Sequence, residues 1–509
     1  MHNGSKRPDW LLKTLPGGSE RTVVVDMLLV NPLVLARDPV ERQLMMPYFP
    51  LGLLYLAATL RDAGYRVALF DGAFCQDTAA FEDALDIHQP RAVGISILST
   101  VRDAASEFAS LARDRGIPVV VGGADPTGRP DSYLLSTAAQ REPIADVVVV
   151  GEGEETLLEL LPAVLGLDGH KPLASIRGIA YRNEAGTVVR TPPRSLRHDL
   201  DSLPLPARDL VDIEAYQRAW RQAHGFSSLS LIATRGCPYG CAWCQKSVFG
   251  RTFRPRSPEL VAEEMRLIKK QYQPDQLRIV DDVMGIDRGW LRRWRDAVLN
   301  LDAVIPFECL SRVDLVDREM LTWLKEAGCA RISFGAESGS QRILDAMNKG
   351  TTVEQARRAA SLCHELGIQV YFYIMVGYLG EEWDDIRKTA RFLRETMPDA
   401  FSSTIAYPLP GTPFYDQVAD RLIQAHDWRY TAENRTLYRG RYHTLFYRWV
   451  QRWFYKEWQV ARLCQKIEPV TPLQALKGVG GLALVRVALP LLRLLPPDAR
   501  AVPLSVPGH

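Results

Sequence analysis

Continuous apolar runs alternate with helix-length segments twice along this chain. After a loose polar tail over residues 1–20, VVVDMLLVNP reads as a buried strand, and LGLLYLAATLRDAG, residues 51–64, as a helix that stops at Gly64. YRVALFDG, RAVGISIL, IPVVVGG and ADVVVVGEGE follow as further strands with helix-length segments between them. A sheet with one wet face would alternate apolar and polar residues. Unbroken Val/Ile runs indicate instead a parallel sheet covered on both faces. The expectation is an α/β fold that begins with a doubly wound, flavodoxin-like (Rossmann-type) domain over residues 21–165.

In such a sheet, ligands lie outside the carboxyl ends of the strands. Ser96, Ser99 and Thr100 follow one strand, Gly122 and Gly123 a second, and Gly151 a third. Small residues at these ends let a bulky ligand approach the backbone. Ordinary α/β turns use the same residue types, so both readings stand at this point.

Residues 166–225 read as a connector, with a small hairpin around Asn183–Gly186 and the Pro-containing DSLPLPARDL. The alternation then resumes. SLIATRG, QLRIVDD, PFECLSR, ARISFGAES, IQVYFYIMVG and FSSTIAYPL are six candidate strands, with helical segments such as 257–271 and 352–367 between them. This suits a partial (β/α)6 TIM-type barrel over residues 226–425, with its chemistry at the strand C-terminal ends. Residues 426–509 form a helical C-terminal region. Within it, Leu437–Ile467 is expected as one helix, with Phe446, Trp449, Trp453 and Phe454 on an apolar stripe and Arg448, Arg452 and Lys456 on a neighbouring face. Residues 478–495, GVGGLALVRVALPLLRLL, are strongly apolar but carry Arg486, Pro490 and Arg493. A spanning helix needs ~20 predominantly apolar residues and tolerates a central Arg poorly, so a buried or surface-lying helix is expected.

The charge balance narrows the partners. Across 509 residues, 62 Lys plus Arg meet 60 Asp plus Glu, which makes no electrostatic case for a nucleic-acid binder. The polar N-terminus lacks the apolar core of a signal peptide, so the chain reads as cytoplasmic. Of eight cysteines, three fall within the eight residues 237–244, which points to metal ligation in a reducing compartment rather than to a disulfide scaffold.

Those three are Cys237, Cys241 and Cys244 in TRGCPYGCAWC, at spacing C-x3-C-x2-C on a loop after a strand. A structural zinc site wants four tetrahedral ligands, usually in paired Cys or Cys/His units. Here Cys309, Cys329, Cys363 and Cys464 are isolated and read as core residues. Thiolates bind iron–sulfur clusters, and three of them on a four-iron cubane leave one iron open for chemistry.

The motif resembles that of the radical S-adenosylmethionine superfamily. The resemblance implies a 4Fe-4S cluster whose open iron binds S-adenosylmethionine and cleaves it reductively to methionine and a 5′-deoxyadenosyl radical. It also implies a small electron donor such as a flavodoxin or ferredoxin. By the same resemblance Trp243 packs near the adenine. Asp281 and Asp282 stand where many members have a Gly-Gly-Glu segment for the methionine amino group, although the Gly pair is absent here. Arg312 and Glu337 resemble residues that contact the carboxylate and ribose of S-adenosylmethionine. Gly377 and the segment YPLPGTPFY (Tyr407–Tyr415) resemble the last two strand ends.

The N-terminal half resembles the cobalamin-binding domain that precedes the radical domain in one large subfamily. The matching segments are PYFPLGLLYLAATLRDAGYRVALFDG, GISILST, VVVGGADPT and DVVVVGEGEETLLEL. This implies cobalamin at the strand ends carrying Ser96, Ser99, Thr100, Gly122, Gly123 and Gly151. The Asp-x-His-x-x-Gly motif, with His as lower cobalt ligand, is absent. Its nearest counterpart, Asp86 to Arg91, lacks the Gly, and His88 reads as a surface helix-end residue.

Two reactions use this architecture. One is methylation of an unactivated carbon of a small-molecule or lipid-like substrate, the majority chemistry. The other is oxidation or cyclisation of a tetrapyrrole-like substrate, as in the group that includes the anaerobic magnesium-protoporphyrin monomethyl ester cyclase. A cobalamin-sensing module with a structural cluster is disfavoured by the three-thiolate set. An RNA substrate, as in the tRNA-methylthiolating radical enzymes, is disfavoured because residues 1–236 hold only Cys75. The apolar, basic C-terminal region also allows peripheral contact with the inner membrane.

Overall fold

The computed structural model describes residues 23–37, 39–47, 49–136, 143–423, 438–465 and 472–498. The expected tail over residues 1–20 lies outside them. Chain contacts divide the protein into two compact units, Met1–Arg235 with Lys246–Arg278, and Gly236–Gln245 with Ile279–His509.

The first unit is built on a seven-stranded sheet. Its strands are β1 (Met27–Asn31), β2 (Val67–Asp71), β3 (Val93–Ser96), β4 (Val119–Gly122), β5 (Val147–Val149), β6 (Ile179–Arg182) and β7 (Val188–Arg190). They run in the order β2-β1-β3-β4-β5-β6-β7. The first five are parallel to one another, β6 is antiparallel to β5, and β7 is antiparallel to β6. The order 2-1-3-4-5 is the flavodoxin-like one, whose ligand crevice lies where the strand order reverses, between β1 and β3. Every residue of β2 is buried, which is why its sequence shows no alternation. The helix Arg102–Asp114 shows the complementary pattern, burying Ala105, Phe108, Ala109 and Ala112 at helical spacing on one face. Phe70, Phe81 and Phe108 pack edge-on and tilted, with ring centroids 4.8–5.6 Å apart, at the centre of this core.

The stretch 166–225 contributes to this unit directly. Asn183–Gly186 forms a tight turn, with the Asn183 and Thr187 backbones bonded at 3.0 Å and Gly186 at φ +78°. The turn joins β6 to β7, and the hairpin adds to β5 as two further strands. The same stretch supplies the helix Ile213–His224, which starts at Asp212, whose carboxylate accepts from Ala215 N at 3.0 Å, and ends at Gly225.

The six barrel strands expected from the sequence are all present: β8 (Ser228–Leu231), β11 (Gln276–Met284), β12 (Phe307–Ser311), β13 (Cys329–Glu337), β14 (Gln369–Val376) and β15 (Ala400–Ile405). Two two-residue strands, β9 (Thr234–Arg235) and β10 (Arg254–Pro255), make a short separate ribbon. The sheet order is β15-β14-β13-β12-β11-β8, with edges at β15 and β8, so the barrel is partial. β12 to β15 are parallel to one another.

The C-terminal region of the second unit is helical over Thr444–Cys464 and Pro472–Leu492. Leu437 and residues 466–467 of the expected helix lie outside the described residues. Phe446, Trp453 and Phe454 are buried as the stripe predicts, and Trp449 is half-buried. This helix packs along the barrel helix Trp383–Thr396, where Trp453 stacks on Trp383 at 5.3 Å. Trp458 Nε1 donates to Pro398 O at 2.8 Å. It is therefore an amphipathic element laid against the barrel wall. Among the described residues no helix is long and apolar enough to cross a membrane. Cys309, Cys329 and Cys363 are buried as expected, whereas Cys464 is exposed because it ends its helix.

Candidate functional site

In the first unit, the ends of β3, β4 and β5 are neighbours, so Ser96, Gly122 and Gly151 share one sheet edge. Ser99 and Thr100 lie in a short 3-10 turn just after β3 and are half-buried. Gly123 has φ +103°, and a Cβ there would stand 2.8 Å from Ile97 O. The β3 and β4 loops thus meet backbone to backbone, which only glycine allows. Gly151, at φ +89°, is more open, with only Val248 O within 4 Å of a built Cβ. Thr127 Oγ1 accepts from Gly151 N at 3.1 Å and ties the β4 and β5 loops together. All six residues therefore line the carboxyl edge beside the β1/β3 switch point.

His88 ends the helix Ala79–His88, as the sequence suggested, but its ring is buried rather than at the surface. The approach to β1 crosses it, with Val25 N bonded to His88 O at 3.0 Å. Burial holds its pKa below the usual imidazole value. The helix runs back from the end of β2, so its last residue lies at the edge where the strands begin, opposite the glycine edge. Replacing His88 with Ala is expected to leave the absorption spectrum of bound cobalamin unchanged. A shift signalling loss of a nitrogen ligand would contradict this placement.

The carboxylates of Gly151–Glu154 have a structural use that the sequence did not show. Arg235 donates to Glu152 at 2.8 Å and to Glu154 at 2.6 Å, and Arg254 donates to Glu152 at 2.8 Å. All four side chains are at least nine-tenths buried. Burial pushes the Glu152 carboxyl up, but the hydrogen bonds from Arg254 and Arg235 outweigh it and hold it below the usual carboxylate range. The Arg235 guanidinium lies 5.5 Å from the Tyr55 ring centre and 5.2 Å from that of Phe249.

The cysteine loop belongs to the second unit. Gly236, at φ +86°, donates its N–H to Asp282 at 3.1 Å. Asp282 is exposed and Asp281 buried, as alternation along β11 requires. Ala242 N bonds to Met347 O at 2.9 Å, Asn348 Nδ2 to Gly240 O at 2.8 Å, and Phe414 N to Ala242 O at 3.0 Å. Residues 347–348 and the segment Tyr407–Tyr415 thus clamp the loop, through two backbone–backbone bonds and the Asn348 side-chain amide. Cys237 and Cys241 are half-buried and Cys244 exposed, and none of the three is in a disulfide.

Arg312 is held on several sides. It donates to both Asp314 oxygens at 3.0 and 3.1 Å and to Lys349 O at 2.9 Å. It also donates to Cys241 Sγ at 3.8 Å and lies 3.7 Å from the Tyr239 ring centre. Glu337 ends β13 at φ +60°, an uncommon conformation for a non-glycine residue, at a register shift in the sheet. Lys349 Nζ reaches Glu337 at 3.1 Å and sits 5.1 Å from the Trp243 ring centre. The structure thus brings Cys241, Trp243, Arg312 and Glu337 together. Asp282 joins them through Gly236, and the buried Asp281 stands next to it on the same strand.

Sequence reasoning missed Tyr239, Lys349 and Glu381. Tyr239 lies inside the cysteine motif, but no spacing rule singles it out. Nothing local marks Lys349. Glu381 follows the Gly377 strand end, is 1% exposed, and accepts from Gly377 N at 2.5 Å. Tyr438 Oη donates to Gly377 O, and Tyr447 packs where a Gly377 side chain would go. Burial, with the Asp385 carboxylate adding to it, pushes Glu381 from 4.5 to about 8, although Gly377 N–H and Arg342 pull the other way. A carboxyl raised on folding contributes stability below about pH 4.5 that is lost as the pH rises towards about 8, at ~1.4 kcal/mol per pH unit. Glu381→Gln is expected to flatten the pH dependence of urea unfolding across that window. An unchanged slope would show that Glu381 ionises freely in the fold.

A parallel sheet with a glycine-lined switch point, and a partial barrel with a clamped three-thiol loop at its strand ends, define a radical S-adenosylmethionine protein with a cobalamin-type domain. Comparison with known proteins agrees. The family model "Radical SAM superfamily" matches residues 231–393, and the model "B12 binding domain" matches residues 43–161. The chain belongs to the radical SAM superfamily and carries a B12-binding domain. It is 31% identical over 390 residues to the uncharacterized methyltransferase PH0819 of Pyrococcus horikoshii, covering 75% of this chain and 81% of that one. It is 27% identical over 382 residues to the anaerobic magnesium-protoporphyrin IX monomethyl ester cyclase of Rubrivivax gelatinosus, covering 73% and 67%. Among solved structures, the fold is similar to that of TsrM, a radical S-adenosylmethionine methyltransferase from Kitasatospora setae with cobalamin and a [4Fe-4S] cluster bound. There the TM-score is 0.62 at 21% identity, with 79% of this chain and 78% of that one covered. The cofactors that go with this family are the 4Fe-4S cluster, S-adenosylmethionine and cobalamin.

Proposed function

We propose that this enzyme methylates an unactivated carbon of an apolar, lipid-like small molecule, using cobalamin and radical S-adenosylmethionine chemistry. The observation that carries the reading is the clamped loop of three cysteines outside any disulfide, beside Arg312 and Glu337, with no fourth Cys near it in the sequence. The donor set fits a cluster with one open iron. When bound, that iron supplies reductive cleavage of S-adenosylmethionine, and cobalamin supplies the methyl group.

The chain's own residues bind and orient. Cys237, Cys241 and Cys244 hold the cluster, and Arg312 donates to the Cys241 sulfur while fixing the loop through Lys349 O and Tyr239. Glu337, in its strained conformation, receives the ribose. Asp281 and Asp282 line the amino side, and Trp243 packs against the adenine. In the first unit, Ser96, Ser99 and Thr100 offer hydroxyls to the cobalamin tail, and Gly122, Gly123 and Gly151 leave it room. A flavodoxin or ferredoxin supplies the electron. Peripheral contact with a membrane, through the exposed apolar residues of Pro472–Leu492, gives access to the substrate.

The test is anaerobic reconstitution of the full chain with iron, sulfide and cobalamin, followed by reduction in the presence of methyl-deuterated S-adenosylmethionine. The expected results are 5′-deoxyadenosine and a product that carries the label. Fully loaded protein that forms no 5′-deoxyadenosine would end the reading. The similarity to the anaerobic cyclase supports a second outcome, in which 5′-deoxyadenosine forms, the product gains no label and it is oxidised instead.

A further inference from the structure

We propose that the second unit carries an arginine-lined groove that docks the headgroups of an anionic phospholipid bilayer, with the helix Pro472–Leu492 lying in the membrane surface beside it. The proposal rests on the membrane contact suggested above and gives it a site. The groove, of about 300 Å³, lies where the helix Trp383–Thr396 meets the two C-terminal helices. Arg387, Arg391, Arg394 and Arg486 line it, with Trp383 and Trp453 among its walls. Glu457 is the one carboxylate in the lining. It is buried and already engaged by Arg486 and by Trp453 Nε1. Arg387 pairs with Asp384. Arg391 and Arg394 have no acidic partner among the described residues. The Arg493 guanidinium lies 6.0 Å from the Trp383 ring centre and extends the positive rim.

The helix beside the groove is organised around this rim. Leu482, Val485 and Leu489 face inward and are buried. At roughly 100° per residue, Arg486 and Arg493 fall together on the edge of that seam. Beyond them the outer face is apolar: Leu484, Val487 and Leu491 are 62–70% exposed and Val479 is 55% exposed, and Leu494, in the turn that follows the helix, is 77% exposed. Isolated exposed apolar residues are unremarkable, but a continuous helical ridge of them bordered by cations is the form of an interfacial helix. The ridge has the chemistry of the acyl boundary, and the arginines that of phosphate binding, where planar guanidinium and indole groups are well suited. Charge complementarity selects an anionic bilayer as the occupant.

The test is co-sedimentation of the full chain with phosphatidylcholine vesicles, with and without phosphatidylglycerol, at low and high salt. Binding is expected to the anionic vesicles alone and to weaken with salt. Arg391→Glu with Arg394→Glu should weaken it by about 25-fold or more, at about fivefold for each arginine lost from the surface. Leu484→Ser, Val487→Ser and Leu491→Ser together should weaken it by about tenfold or more. The arginine pair should leave 5′-deoxyadenosine formation unchanged. Equal binding to neutral and anionic vesicles would leave membrane contact standing and overturn the groove. No binding to either would overturn both. Release of the protein from anionic vesicles by inorganic phosphate at constant ionic strength would make the groove a site for a free phosphate and likewise overturn the proposal.

Discussion

Replacing any one of Cys237, Cys241 or Cys244 with Ala is expected to abolish the brown cluster absorbance and all 5′-deoxyadenosine formation. With the proposed set of three protein thiolates, each variant leaves two, too few to hold a cubane while keeping one iron open. The loop itself should survive, because its anchors are backbone groups: Ala242 N to Met347 O, and Phe414 N to Ala242 O. Loss of the cluster without loss of fold therefore separates ligation from stability. Cys464→Ala is the matching control, since this thiol is exposed at a helix end. Iron and sulfide analysis with anaerobic product assays reads the outcome. Any single variant among the three that keeps full cleavage would show that the ligand assignment is wrong.

The second large effect is expected at Arg235, which is not itself one of the proposed ligands. Arg235→Met should cost about 3–5 kcal/mol, because it strips the shared cation from two buried carboxylates. Glu152 keeps Arg254 at 2.8 Å, but Glu154 loses its 2.6 Å partner. Arg235→Lys should recover only part of the loss, since an ammonium cannot serve two carboxylates with the same fork. The effect is also pH-dependent. The Glu152 carboxyl is held below its ordinary 4.5 in the fold, so its stabilisation is present above that pH and is lost as the pH falls through the folded value. The gap between wild type and Arg235→Met should therefore narrow in acid. Denaturant unfolding measures both, and a loss under about 1 kcal/mol at neutral pH would show that the network is incidental.

These two predictions differ in how they could be found. The cysteines announce themselves, since three thiols at fixed spacing after a strand make a signal contained in eleven residues. Arg235 stands two residues before the first of them and gives no such signal. Its partners Glu152 and Glu154 are more than eighty positions away, in a motif whose glycine drew attention for a different reason. The same holds for Lys349, which matters because Glu337 and Trp243 come to it, and for Glu381, whose carboxyl is pushed up because the chain closes around it.

Several errors have the same origin. His88 and Cys464 both sit at helix ends, and local pattern cannot say which end is covered. The approach to β1 crosses His88, whereas Cys464 is exposed. Residues 166–225 looked like a connector because their hairpin is short and polar at the turn. They are ordered because β5 offers an open edge to pair with.

The sequence by itself determined the element types, the strand order of appearance, the three-cysteine motif and the two-part α/β architecture. Each of these is written in periodicity or spacing over a few to a few tens of residues, where backbone geometry alone converts pattern into structure. Only the tertiary structure decided the flavodoxin-like strand order, the pairing of Arg312 with Cys241, the Glu152–Arg235–Glu154 network and the arginine groove beside the apolar ridge. These depend on which distant side chains share a low-dielectric interior or a common surface. Burial and Coulomb interactions act across space, and separation along the chain does not encode them.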